Sequence, residues 1–160
     1  MHGIFIQGKK RNRKLLKEKL EEFNVPVEFY TALKKGRDYT APNGEVYKNE
    51  LLTSAPEEPK SYAYCSDTIY SERYFEQIKN VDLLYHESTF LHDMLERAQS
   101  TYHTTALQAA QVALNTHAKK LLLGHFSARY KTLTELLDEA RTIFPNTELA
   151  IEGKTFVIGE

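Results

Sequence analysis

The chain is poor in cysteine, with only Cys65 among 160 residues. One thiol excludes an internal disulfide framework and a zinc-ribbon spacing, and it fits a reducing cytoplasm. Long apolar runs are missing too. None approaches the ~20 residues a membrane-spanning helix needs, and the opening "MHGIFIQGKK" does not have the layout of a secretory signal. A cytoplasmic protein without a membrane partner is therefore expected. There is no internal repeat and no low-complexity tract. Close histidine pairs are also absent: of His2, His86, His92, His103, His117 and His125, none has another two positions on. What is present is ordinary for a globular protein, with 41% hydrophobic and 27% charged residues and length for one domain with a real core.

The net charge of −1 conceals an asymmetry. Residues 8–37 hold ten Lys/Arg against four acids, a local balance of +6, and the rest of the chain carries −7. The basic residues begin as a dense block, Lys9, Lys10, Arg11, Arg13 and Lys14. A solvated helix face and a contact for a phosphate-rich partner both fit such a run.

"GIFI" reads as a strand, and residues 13–23 as a helix with Leu15, Leu16, Leu20 and Phe23 on a narrow apolar face. Asn43-Gly44 signals a hairpin turn, and residues 54–60 read as a linker. From Ser61 the pattern alternates. Strands are expected at "SYAYCSD", "VDLLYHEST" and "KKLLLGH", with a closing pair at "TELAI" and "KTFVI". Between them come a helix capped by Ser71, the helical "FLHDMLERAQ", and two helices opened by capping boxes, Thr105-x-x-Gln108 and Thr132-x-x-Glu135. The first boxed helix would bury Ala106, Ala109, Ala110, Ala113 and Leu114, and the second Leu133, Leu136, Leu137, Ala140 and Ile143. This order predicts an α/β fold, a sheet covered by helices.

Three of the strands end on polar cargo: Asp67-Thr68, then Glu87 and Thr89, then His125, Ser127 and Arg129. Strand ends are where α/β proteins keep their sites. His103 stands just before the first boxed helix, where free N–H groups and the helix dipole would favour an anion. Taken singly, Asp67-Thr68 also fits a turn cap, Glu87 a surface acid, and His103 a loop residue in water. Together, Asp and His are donors suited to zinc or manganese, and a Glu holding an imidazole is a proton-donor arrangement. His86, one residue from Glu87 on a strand, faces the other way and reads as structural.

"YCSDT", "LLYHESTF", "HTTALQAA", "KKLLLGHFSARY" and "FPNTELAIEGKTF" resemble the C-terminal half of bacterial ribonuclease Z, in that order and over about residues 61–158. That family is the metallo-β-lactamase-fold endonuclease that trims the 3′ ends of precursor tRNA. Residues 1–60 resemble, more loosely, the segment with the family's protruding tRNA-binding arm. They hold "NVPVEFYTALKKG" where the family often has a Gly-Pro pair. The resemblance implies half of an αββα sandwich at 61–160, preceded by a strand, a basic arm and a linker.

It further implies a carboxylate bridging two zinc ions at Asp67, a metal ligand at His125, and a Glu87–His103 pair that orients the scissile phosphate and protonates the leaving oxygen. Thr105 completes a His-x-Thr element and would contact substrate, and Arg129 steadies substrate phosphate. Lys9, Lys10, Arg11, Arg13 and Lys14 would meet tRNA. On this reading Gly124 is a hinge that lets His125 reach a metal. The family's His-x-His-x-Asp-His motif is absent here. Two ligands do not build a site with metals ~3.5–4 Å apart. The chain therefore reads as an enzyme half, inactive alone, whose partner is the missing N-terminal half and whose open sheet face that half would cover. A homodimer is implied for the full-length protein. Two other readings stand beside this one: a non-catalytic tRNA-binding module, and a hydrolase of small molecules on the same fold.

Overall fold

The computed structural model describes residues 2–159. It divides into two compact units: Lys9–Pro59, and the segment up to Gly8 joined with the segment from Lys60 onward. The opening strand thus belongs with the later part of the chain, so a boundary drawn at residue 60 alone misplaces it.

In chain order the first elements are β1 (His2–Gln7), β2 (Lys14–Leu15), α1 (Lys17–Glu22), α2 (Tyr30–Lys34), β3 (Tyr39–Thr40), β4 (Val46–Tyr47), α3 (Asn49–Leu52) and β5 (Thr53–Ser54). The smaller unit closes on Leu20, Val25, Leu33, Tyr39 and Leu52. Buried Asn49 ties it together, its amide donating to the carbonyls of Leu33 and Arg37 at 2.8 Å each. The helix expected over residues 13–23 is shorter at its start. Lys14 and Leu15 instead pair with Ser54 and Thr53, and the Arg13 guanidinium donates to the Thr53 hydroxyl at 2.7 Å, holding that stretch extended. The hairpin turn forms as expected, with Gly44 at φ +88°. Its strands β3 and β4 are antiparallel.

The larger unit continues with β6 (Ser61–Ser66), β7 (Leu83–Glu87), α4 (Leu95–Ser100), α5 (Ala106–Asn115), β8 (Leu121–Gly124), α6 (Thr134–Arg141) and β9 (Thr147–Leu149). One five-stranded sheet runs β1-β6-β7-β8-β9. β1 is antiparallel to β6, and the other pairs are parallel. One face buries Ala63, Leu84, Leu121 and Leu123 against Ala109, Ala110, Ala113, Leu136 and Ala140 of α5 and α6. Strand alternation sends Ile4, Ile6, Tyr62, Tyr64, Tyr85 and Leu122 to the other face. Ile4 is 59% exposed there, and the Tyr64 and Tyr85 rings stack at 4.5 Å.

Several expectations are corrected. The segment after Ser71 is a 3-10 helix, Glu72–Gln77, and Ser71 does accept its Arg73 N–H. In α5 the Thr105–Gln108 capping box is present. Val112 is buried there, while Leu114 is exposed. The second box is absent. α6 starts after Leu133, which packs on the core, so Thr132 lies a residue too early to cap it. Only the first half of the closing pair is a strand, and it runs parallel beside β8.

Gly124 is not a hinge of unusual backbone. A Cβ there would come within 2.1 Å of the Tyr85 hydroxyl, so glycine makes room for that ring. The left-handed residue is His125 itself, at φ +55°.

Candidate functional site

The parallel register that pairs Cys65 with His86 and Glu87 with Gly124 brings the ends of β6, β7 and β8 to one sheet edge. Asp67, Glu87 and His125 therefore converge, and His103 joins them from the turn before α5. Asp67 and His125 both leave their strands in the left-handed region, at φ +49° and +55°, and Tyr102 before His103 does so at +59°. Non-glycine residues held there cost about 1–3 kcal/mol each and cluster at functional sites.

Glu87 is the buried centre, with no side-chain exposure. Its carboxylate accepts from the Thr104 N–H at 3.1 Å, the Thr89 hydroxyl at 2.7 Å, His103 Nδ1 at 3.0 Å and the Thr68 N–H. A buried carboxylate needs such donors. Asp67 is open by contrast, its side chain 62% exposed, with Oδ1 3.3 Å from His125 Nε2. The His103 and His125 rings lie 5.1 Å apart, centre to centre.

One oxygen of Asp67 and one nitrogen each of His103 and His125 lie within 4.8 Å of one another. With Nδ1 of His103 turned to Glu87, Nε2 is its free nitrogen. Carboxylate oxygen and imidazole nitrogen suit divalent zinc or manganese, so this donor set fits a metal ion. It offers three donors among the described residues, fewer than a closed four-ligand zinc site.

The helix end beside His103 is not open to an anion. The Ala106 N–H donates to the Phe90 carbonyl, the Gln108 N–H to Thr105, and the Leu107 N–H to a Glu139 carboxylate oxygen. The α6 carboxylate occupies the place a ligand would take. Thr105 is fully buried, and its hydroxyl caps α5 and lies 3.1 Å from His92 Nδ1. Arg129 lies over the Phe90 ring at 5.0 Å and donates to Ser127 at 3.2 Å. His86 sits on the helix side, fully buried between the Tyr74 hydroxyl and the Glu87 carbonyl, and burial pushes its pKa down.

In the smaller unit, Lys10, Arg11 and Arg13 line a groove of about 580 Å³ together with Lys34 and Lys35. Lys9 and Lys14 are exposed outside that lining. Lys34 and Lys35 belong to the basic segment of residues 8–37, and the resemblance assigns them no role. Their signal in the sequence is the Lys-Lys-Gly run at 34–36; the return of the chain that places them beside residues 10–13 is not a local feature. Thr89 is strand-end cargo to which the sequence likewise assigns no role.

A mixed sheet with helices on one face and a His/Asp/Glu cluster at its strand ends defines half of a metallo-β-lactamase fold. Two solved structures agree: the metallo-β-lactamase fold protein YhfI from Bacillus subtilis (TM-score 0.52, 28% identity, 57% of this chain and 37% of that one) and a long-form RNase Z from yeast (TM-score 0.53, 32% identity, 60% and 13%). In sequence the chain is similar to ribonuclease Z. It is 46% identical to that of Bacteroides thetaiotaomicron over 156 residues, covering 98% of this chain and 49% of that protein. It is 47% identical to that of Cytophaga hutchinsonii, covering 99% and 51%. The chain thus spans about half the length of the curated relatives it matches, consistent with a C-terminal half. No family model matches. No helix among the described residues is long and apolar enough to cross a membrane.

Proposed function

We propose that this chain is the C-terminal half of a zinc-dependent endoribonuclease that removes 3′ trailers from precursor tRNA. The convergence of Asp67, Glu87, His103 and His125 carries the reading. The similarity to ribonuclease Z supports it. Asp67 and His125 would hold metal, with the remaining ligands supplied by the other half of the protein. Bound zinc supplies Lewis-acid assistance at phosphorus. Glu87 holds His103 at Nδ1, and once protonated at both nitrogens the imidazole gives its Nε2 proton to the leaving oxygen. Arg129 meets substrate phosphate, and Thr105 acts at a distance by capping the helix that follows His103. Lys9, Lys10, Arg11, Arg13 and Lys14 bind tRNA, joined by Lys34 and Lys35. The full-length enzyme works in the cytoplasm as a homodimer, and this half alone is inactive.

A second reading, a tRNA-binding module without catalysis, is favoured by the basic groove. Reconstitution with the other half separates the two. The joined protein should cleave a precursor tRNA at its 3′ trailer. His103→Ala should keep its metal and slow cleavage by roughly 10²–10⁴-fold, as for a lost general acid. Asp67→Ala should lose both metal and cleavage. Tight tRNA binding without cleavage would instead favour the module.

A further inference from the structure

The hydroxyl of Thr89 stands between the two halves of the cluster. It lies 2.7 Å from Glu87 Oε2, 2.9 Å from His125 Nδ1 and 3.0 Å from the His125 carbonyl oxygen. A threonine hydroxyl has one hydrogen and two lone pairs. Two of these neighbours, the carboxylate and the carbonyl, can only accept, so the single hydrogen is directed to that side. The buried carboxylate at 2.7 Å is the nearer and the stronger acceptor. What remains toward His125 is a lone pair, and Nδ1 satisfies it only by carrying a proton.

We infer that Thr89 is a positioning residue through which Glu87 orients His125, fixing its proton on Nδ1 and leaving Nε2 bare toward Asp67. Glu87 already holds His103 at Nδ1 directly, at 3.0 Å. One buried carboxylate thereby sets both imidazoles to the same tautomer, one by contact and one through a hydroxyl. His125 Nε2 lies 3.3 Å from Asp67 Oδ1, an acceptor whose side chain is 62% exposed and open to water. It competes for the proton less well than the shorter 2.9 Å Thr89 contact at Nδ1. The bare lone pair then lies on the side where the donor set converges. A partner that fixes ring orientation and tautomer in this way raises a histidine's value as a ligand. The consequence for metal rests on the metal-centre reading above; the tautomer does not.

The test uses the 160-residue chain, labelled with ¹⁵N. Long-range proton–nitrogen correlation is recorded without metal at about pH 8, where an ordinary imidazole is neutral. His125 in the unaltered chain should show its proton on Nδ1, and a proton on Nε2 would overturn the inference with no variant needed. Thr89→Val, close in shape and lacking the hydroxyl, should release His125 to the other tautomer while His103 keeps its proton on Nδ1. Thr89→Ser should restore the original pattern. Zinc titration of the same proteins should show Thr89→Val about 10–100-fold weaker, the usual loss for a group supporting a ligand, and Thr89→Ser near the starting affinity. Unchanged tautomer and affinity in Thr89→Val would overturn the inference. If zinc affinity ignores Asp67→Ala, the metal-centre reading fails by itself, and the tautomer result still decides the role of Thr89.

Discussion

The strand-end cluster and the basic groove hold their charged groups in opposite ways. In the cluster, Glu87 is fully buried and meets four donors, and His103 and His125 are each held at Nδ1. In the groove, Lys10, Lys34 and Lys35 are exposed, and Arg11 has only a 4.0 Å approach to Glu57. A network of that first kind fixes geometry to fractions of an ångström, as proton transfer and metal binding require. Loose cations suit a partner recognised by charge along a backbone, where register matters less. The two regions should therefore fail differently when altered. Cluster variants should change chemistry at constant tRNA affinity, and groove variants should change affinity and its salt dependence.

The largest effect outside the cluster is expected in the groove. Replacing Lys10, Arg11, Arg13, Lys34 and Lys35 with alanine should weaken tRNA binding and flatten its salt dependence. The slope should fall by about 0.7–0.9 for each phosphate that is no longer neutralised. Arg13 also holds Thr53, so a four-site variant that keeps it separates lost charge from lost fold. Unchanged affinity and slope would make the groove an ordinary solvated surface and erase the contrast.

A smaller effect is expected where the cluster's scaffold is tightest. Gly124→Ala places a methyl against the Tyr85 ring. It should cost about 1–3 kcal/mol in denaturant unfolding, as overpacking does. Tyr85→Ala in the same chain should relieve most of that loss. If Gly124→Ala is neutral alone, the ring moves freely and glycine has some other cause.

The smallest effect is a pH dependence. Burial holds His86 below its ordinary value of 6.5. The folded state therefore resists a proton that the unfolded chain accepts. Its contribution is present above about pH 6.5 and is lost as pH falls below that value. His86→Gln should flatten the stability curve between neutrality and pH 5 relative to the unaltered chain. An identical curve would place that dependence elsewhere.

Much of this was legible in sequence because it is local. Asp67, Glu87 and His125 follow runs of apolar residues that read as strands, and parallel pairing brings such ends together. Thr105 and Gln108 form their capping box within one turn. Distant packing was not legible. Glu139 fills the helix end beside His103 from 32 residues beyond Leu107, and Tyr85 explains Gly124 from the neighbouring strand. The helix expected at 13–16 gave way to a pairing with Thr53 and Ser54 that no local pattern announces.

The central claim is that this chain carries part of a metal centre, with Asp67 and His125 as ligands that do not close a site alone. Calorimetric titration of the purified 160 residues with zinc tests it most directly. The account predicts at most one ion, bound well below the affinity of a closed four-ligand site and lost in Asp67→Ala and His125→Ala. Tight binding of two ions by this chain alone would contradict it.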